Sequence, residues 1–142
     1  MSDDPRARFR DYVELHMEPH RILPEENERA LVSEGISRFN LDGTQARGVV
    51  AMAATRSGQL LASDASRSIG NVLHQLAGRR SAIGKRQFDK AVVILTALVK
   101  GRITEPEARV WLKRVVESSD LRVRGRGLFR SKRWFRKIKA GK

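Results

Sequence analysis

Apolar side chains recur at three- and four-residue spacing along almost the whole chain. No stretch sustains an apolar–polar alternation over β-branched residues. That period belongs to helices with one buried stripe, not to strands. A first helix is expected to open at Asp4, with Pro5 in its first turn, where a missing N–H does no harm. Phe9, Tyr12, Val13 and His16 form its stripe, and it ends near Pro19. A second begins at Pro24, with Glu25 and Glu26 near its positive end, and Gly35 reads as its stop. The third start is sharper: Asp42 followed by Gln45 makes a capping box, Leu41 staples onto Ala46, and Val49, Val50, Met52 and Ala53 are buried. Ser57-Gly58 ends it.

Ser63 or Asp64 is expected to cap a fourth helix carrying Ile69, Val72, Leu73 and Leu76 and stopping near Gly78, and residues 79–86 read as a polar connection. The fifth helix holds Phe88, Ala91, Val92, Ile94, Leu95 and Leu98, so apolar over much of its circumference that it is expected at the centre of the packing. Gly101 terminates it. Thr104 and Glu107 form a second capping box, opening a sixth helix with Val110, Trp111, Leu112, Val115 and Val116 inward. The fold class is therefore all-α: a compact bundle of five to six short helices over residues 1–120, followed by a basic, aromatic-containing C-terminal arm, 121–142. Short connections favour antiparallel neighbours. One internal echo stands out, since residues 41–47 match 103–109 as apolar, cap, two variable positions, amide or acid, then Ala-Arg. Shared capping chemistry alone produces such a match, and that reading is preferred; the alternative is duplication of a helical hairpin.

Residues 95–116, with Gly101-Arg102-Ile103-Thr104 followed by Glu107, form a helix–turn–helix hairpin similar to those of tellurite-resistance-B-like domains and short bacterial SHOCT modules. The similarity spans about one sixth of the chain. Lys100 stands where the tellurite-type family usually has an acidic residue before the turn glycine, so the resemblance carries no acidic metal-binding role. No function is transferred from so generic a hairpin.

Composition narrows the class. A chain of 142 residues, 40% apolar and 32% charged, suits a soluble globular protein. It has no cysteine, which excludes disulfides and thiolate metal sites and makes a reducing cytoplasm the expected location. No signal-peptide core follows the polar N-terminus. The longest uncharged runs, 48–55 and 91–99, are far short of the roughly 20 apolar residues of a membrane span, so no transmembrane segment is expected.

Charge changes the picture most. Residues 121–142 contain ten Lys or Arg and no acid, whereas 1–120 carry 19 basic and 16 acidic residues. Arg122, Arg124 and Arg126 alternate with small or apolar residues, and Arg130, Lys132, Arg133, Arg136 and Lys137 follow. Arg forks grip phosphate oxygens in pairs, and Phe129 and Trp134 are candidates to stack on bases. Arg79, Arg80, Lys85 and Arg86 cluster at a connection and a helix start, and are expected to act jointly with the arm. The function expected is sequence-tolerant binding of DNA or RNA through phosphates, by a non-enzymatic component of a larger assembly. On that reading, removing 121–142 abolishes binding and leaves the body folded. The alternative is a helical interaction adaptor whose basic amphipathic arm docks on an acidic protein partner or, peripherally, on an anionic membrane.

Catalytic, metal and cofactor readings are weaker. Gly78 to Arg86 resembles a phosphate-binding loop, but five residues separate its glycines instead of four, and Arg86 stands where a Ser or Thr would hold magnesium. His16 and His20 are four apart, yet Pro19 disturbs any shared helical face and no third ligand is obvious. No nucleophile motif is apparent. No catalytic residue, metal or cofactor is therefore expected.

Overall fold

The computed structural model describes residues 4–125 and 131–138. The chain is all-α, with seven α-helices among the described residues, and divides into two compact units, Met1–Asp64 and Ala65–Lys142.

In the first unit, α1 (Pro5–Glu14) opens as its sequence implies: the Asp4 carboxylate accepts the Arg6 N–H at 3.1 Å. It ends at Glu14, short of Pro19. A two-residue strand, β1 (Ile22–Leu23), leads into α2 (Glu25–Phe39). Gly35 does not stop this helix. The stop is Asn40, in the left-handed region at φ 56°, and Gly35 is buried inside the helix. A Cβ on Gly35 would lie 2.7 and 2.8 Å from two ring carbons of Phe9 and 3.0 Å from Ala46 Cβ, so this glycine lets α1 and α3 approach α2. The third helix, α3 (Gly43–Ser57), has the expected capping box, Asp42 accepting from Gln45 N–H at 2.7 Å and Gln45 accepting from Asp42 N–H at 3.1 Å. It ends at Gly58 in the left-handed region. A second short strand, β2 (Leu60–Leu61), pairs parallel with β1, Ile22 opposite Leu60. Phe9, Val13, Leu31, Ala46, Val50 and Ala53 form the core.

The helix α4 (Ala62–Ala77) starts before its expected caps; Ser63 Oγ donates to Glu28 at 2.6 Å. In the second unit, Ile69 and Leu73 of α4 are fully buried. The expected polar connection 79–86 contains three elements instead: a 3-10 turn (Gly78–Arg80), a strand β3 (Ala82–Ile83), both residues buried, and the start of α5 (Lys85–Leu98). Phe88, Ala91, Val92 and Leu95 make α5 the core helix of this unit. Then α6 (Glu105–Ser118) opens on the expected Thr104–Glu107 box. The strand β4 (Arg122–Val123) pairs parallel with β3, and the single-turn α7 (Arg133–Arg136) carries the buried Phe135. Beyond the boundary read at residue 120, Leu121 and Phe135 are buried and β4 pairs with β3, all within the second unit. Two-residue strands are too short to leave the alternation that sequence periodicity detects.

The two units repeat one order of elements: helix, strand, helix, helix, strand. Phe9 and Ile69, Ile22 and Ala82, and Glu25 and Lys85 lie sixty residues apart; Asp42 and Thr104, Val50 and Leu112, and Leu60 and Arg122 lie sixty-two apart. The match of 41–47 with 103–109 thus extends well beyond two similar helix starts. Core volume is redistributed between the copies: Phe9 faces Gly35 in one, while Ile69 and Leu95 occupy those positions in the other.

Two glycine substitutions test this packing. Gly35→Ala forces a methyl into Phe9 and is expected to destabilise by about 1–3 kcal/mol. Gly48→Ala, in mid-α3 where a Cβ meets nothing within 4 Å, is expected to stabilise by about 0.5–1 kcal/mol. Urea unfolding of both variants measures the contrast.

Candidate polyanion-binding site

Charge is divided unevenly. The first unit has 8 basic and 11 acidic residues, the second 21 and 5. In the second unit, strand pairing joins two basic segments that lie about forty residues apart in sequence. Arg122 N–H donates to the Ser81 carbonyl at 2.8 Å and Arg124 N–H to the Ile83 carbonyl at 2.7 Å. The Arg122 guanidinium donates to the Arg80 carbonyl at 2.9 Å. A Cβ built on Gly84 would stand 3.4 Å from both Nε and Nη2 of Arg124, so that guanidinium lies against the start of α5, beside Lys85 and Arg86. Arg79, Arg80, Arg86, Arg122 and Arg124 are all exposed.

The end of the arm folds onto the same place. Phe88, in the first turn of α5, meets Trp134 at 5.4 Å and Phe135 at 6.0 Å between ring centroids, both edge-on. Trp134 Nε1–H donates to the Arg124 carbonyl at 3.1 Å. Lys113 Nζ lies 5.3 Å from the Phe135 centroid and donates to the Ile138 carbonyl at 2.8 Å. Burying one such ring contributes about 1.5–3 kcal/mol toward holding this segment. With Phe135 inward, Lys132, Arg133, Arg136 and Lys137 remain exposed. Trp134 is half-buried, with one edge against Phe88. Arg126, Phe129 and Arg130 lie outside the described residues.

Four of the unit's five acids are committed elsewhere. Asp89 accepts from Lys85 at 2.8 Å and from Arg109 at 2.8 Å; burial pushes its carboxyl up, but these two cations outweigh that and hold it below its ordinary value. Glu105 takes the other side of Arg109 at 2.9 Å. Glu107 closes the α6 cap. Asp120 accepts from His74 at 3.0 Å. Lys85 is therefore neutralised by Asp89, whereas among the described residues no ion pair to a carboxylate is formed by Arg79, Arg80, Arg86, Arg122 or Arg124.

The start of α5 sharpens this. Asp4, Asp42 and Thr104 cap α1, α3 and α6 with side-chain oxygens, but Gly84 has none to offer α5. Its first turn carries Lys85 and Arg86 where the first unit has Glu25 and Glu26. Cations at the positive end of a helix dipole are unfavourable by a few tenths of a kcal/mol to about 1 kcal/mol each. A bound anion reverses that sign.

Other candidates resolve differently. His16 and His20 share no helix face, because α1 ends at Glu14 and His20 sits at φ 69°; His16 Nδ1 bonds the Tyr12 carbonyl at 2.9 Å. Among the described residues, no three His, Asp or Glu converge as a metal set, and no helix is long and apolar enough to cross a membrane. Comparison of the chain with protein-family models, with curated proteins and with solved structures found no match.

His74 was not apparent as an interacting residue from sequence. Its Nδ1 faces the Gly70 carbonyl at 2.8 Å and its Nε2 the Asp120 carboxylate at 3.0 Å. Two acceptors, the carbonyl first and the carboxylate second, favour the doubly protonated ring and raise its pKa above 6.5. The contribution of protonated His74 to stability is therefore complete below pH 6.5 and is lost as pH rises through the higher folded-state pKa. An NMR titration is expected to give a midpoint above 6.5 in the native protein and a lower one in Asp120→Asn.

Proposed function

We propose that the second unit binds the phosphate backbone of DNA or RNA without sequence preference. The reading rests on one observation: β4 is bonded to the 3-10 turn and β3, and α7 packs on Phe88 in the first turn of α5, with unneutralised arginines exposed on these elements. Arg79, Arg80, Arg86, Arg122 and Arg124 supply paired donors to phosphate oxygens, with Lys132, Arg133, Arg136 and Lys137 extending the face. The burial of Phe135, with Trp134 packed edge-on beside it, supports backbone contact over docking on a lipid surface. Affinity on this reading comes from counterion release.

Truncation at residue 120 is a poor test, since it strips β4 and Phe135 from the fold. Charge reversal is cleaner. For five or more phosphate contacts, affinity for a labelled oligonucleotide is expected to fall by about 10²–10⁴-fold between about 50 and 200 mM salt. Arg122→Glu with Arg124→Glu is expected to reduce the log–log salt slope by about 1.4–1.8, with the unfolding midpoint little changed. Fluorescence anisotropy reads both, and a flat salt dependence in the native protein would refute the proposal.

A further inference from the structure

The first unit carries a separate groove of about 510 Å³ between α1 and α3. Its floor is apolar: Ala7 comes from α1, and Gly48, Val49 and Met52 come from α3. Met52 is 57% exposed, and a Cβ on Gly48 would meet open space. Arg6 and Arg10 stand one turn apart on one wall, and Arg56 stands one turn beyond Met52 on the other. Arg10 contacts Asp11 only at 3.7 Å. Among the described residues, neither Arg6 nor Arg56 forms an ion pair to a carboxylate.

The repeat indicates what such a groove holds. Its counterpart in the second unit lies between α4 and α6. There Trp111 stands sixty-two residues after Val49, and its indole N–H donates at 2.8 Å to Ser66, the counterpart of Arg6. Val110, the counterpart of Gly48, is buried. In the second unit a half-buried ring thus reaches from α6 to α4 at this position. In the first unit the ring is reduced to Val49, the hydroxyl acceptor is replaced by a cation, and the wall opens at Gly48. The apolar floor is left to water at a cost, under a rim where three arginines outnumber one lining carboxylate, Asp4.

We infer that this groove is a docking site for an acidic amphipathic helix of a partner protein. One bulky apolar side chain takes the place of the Trp111 indole, and carboxylates meet Arg6, Arg10 and Arg56. The one-turn spacing of Arg6 with Arg10, and of Gly48, Met52 and Arg56, matches the pitch of a helix lying along the groove. This inference uses only first-unit residues and is independent of the phosphate-binding face.

The probe is a synthetic peptide of about four helical turns, built from Leu, Ala and Glu around one central Trp. It is titrated into the full chain while the Met52 methyl resonance is followed by NMR. A saturable Met52 shift is expected. Binding is expected to weaken by about tenfold or more when Lys replaces every Glu of the peptide, and in Gly48→Glu, whose added carboxylate enters open space and whose fold is verified by its unfolding midpoint. Val49→Trp, which supplies the missing ring from within, is expected to weaken it similarly. Arg122→Glu with Arg124→Glu is expected to leave peptide binding unchanged, which separates this site from the second unit. The inference is overturned if Met52 does not respond, if the Lys peptide binds equally, or if folded Gly48→Glu binds like the native protein. It also fails if Met52 shifts on dilution without peptide, which assigns the groove to a second copy of this chain.

Discussion

The edge-on cluster of Phe88, Trp134 and Phe135 is the contact on which the charged face of this protein depends. Arginines repel one another, and nothing in a run of cations makes it settle beside another run. The attraction is apolar: a buried phenyl in the first turn of α5 offers a surface, and two rings of the arm cover it. The parallel pairing of β3 with β4 then fixes Arg122 and Arg124 against the turn that holds Arg79 and Arg80. Hydrophobic packing and backbone hydrogen bonds thus hold like charges together that would otherwise separate.

That arrangement has an electrostatic signature. Four of the second unit's five acids serve a cap, a histidine or the Lys85–Asp89–Arg109–Glu105 network, so the remaining cations have few internal partners. The first unit reverses the pattern, with Glu25, Glu26 and Glu28 in the first turn of α2, where the helix dipole favours them. Two copies of one helical plan therefore present opposite charge at equivalent helix starts. Their difference in charge is a property of side chains laid over a shared order of elements.

What could be read from sequence was local. Capping boxes at Asp42 and Thr104 announce helix starts because cap and partner lie three residues apart. Gly35 misleads because glycine has two uses, ending a helix and admitting a neighbour, and only Phe9, twenty-six residues earlier, distinguishes them. The strands leave no periodic trace. The basic residues themselves were apparent, as residues 79–86 and the arm. Their union was not, since it runs through hydrogen bonds from 122 and 124 to 80, 81 and 83. Trp134 satisfies the description of a stacking ring and of a packing ring equally well; its contact with Phe88, forty-six residues away, emerges only in the fold. The pairs His74–Asp120 and Trp111–Ser66 are likewise long-range, and only folding brings them within reach.

The exchange of Phe9 and Gly35 for Ile69 and Leu95 has an evolutionary consequence. Phe9 and Gly35 share one fixed interior volume, so neither drifts freely. Enlarging the glycine is tolerated only after the phenyl has shrunk, and the reverse order leaves a void in the interim. Related chains, when compared, should vary at these positions jointly and not singly.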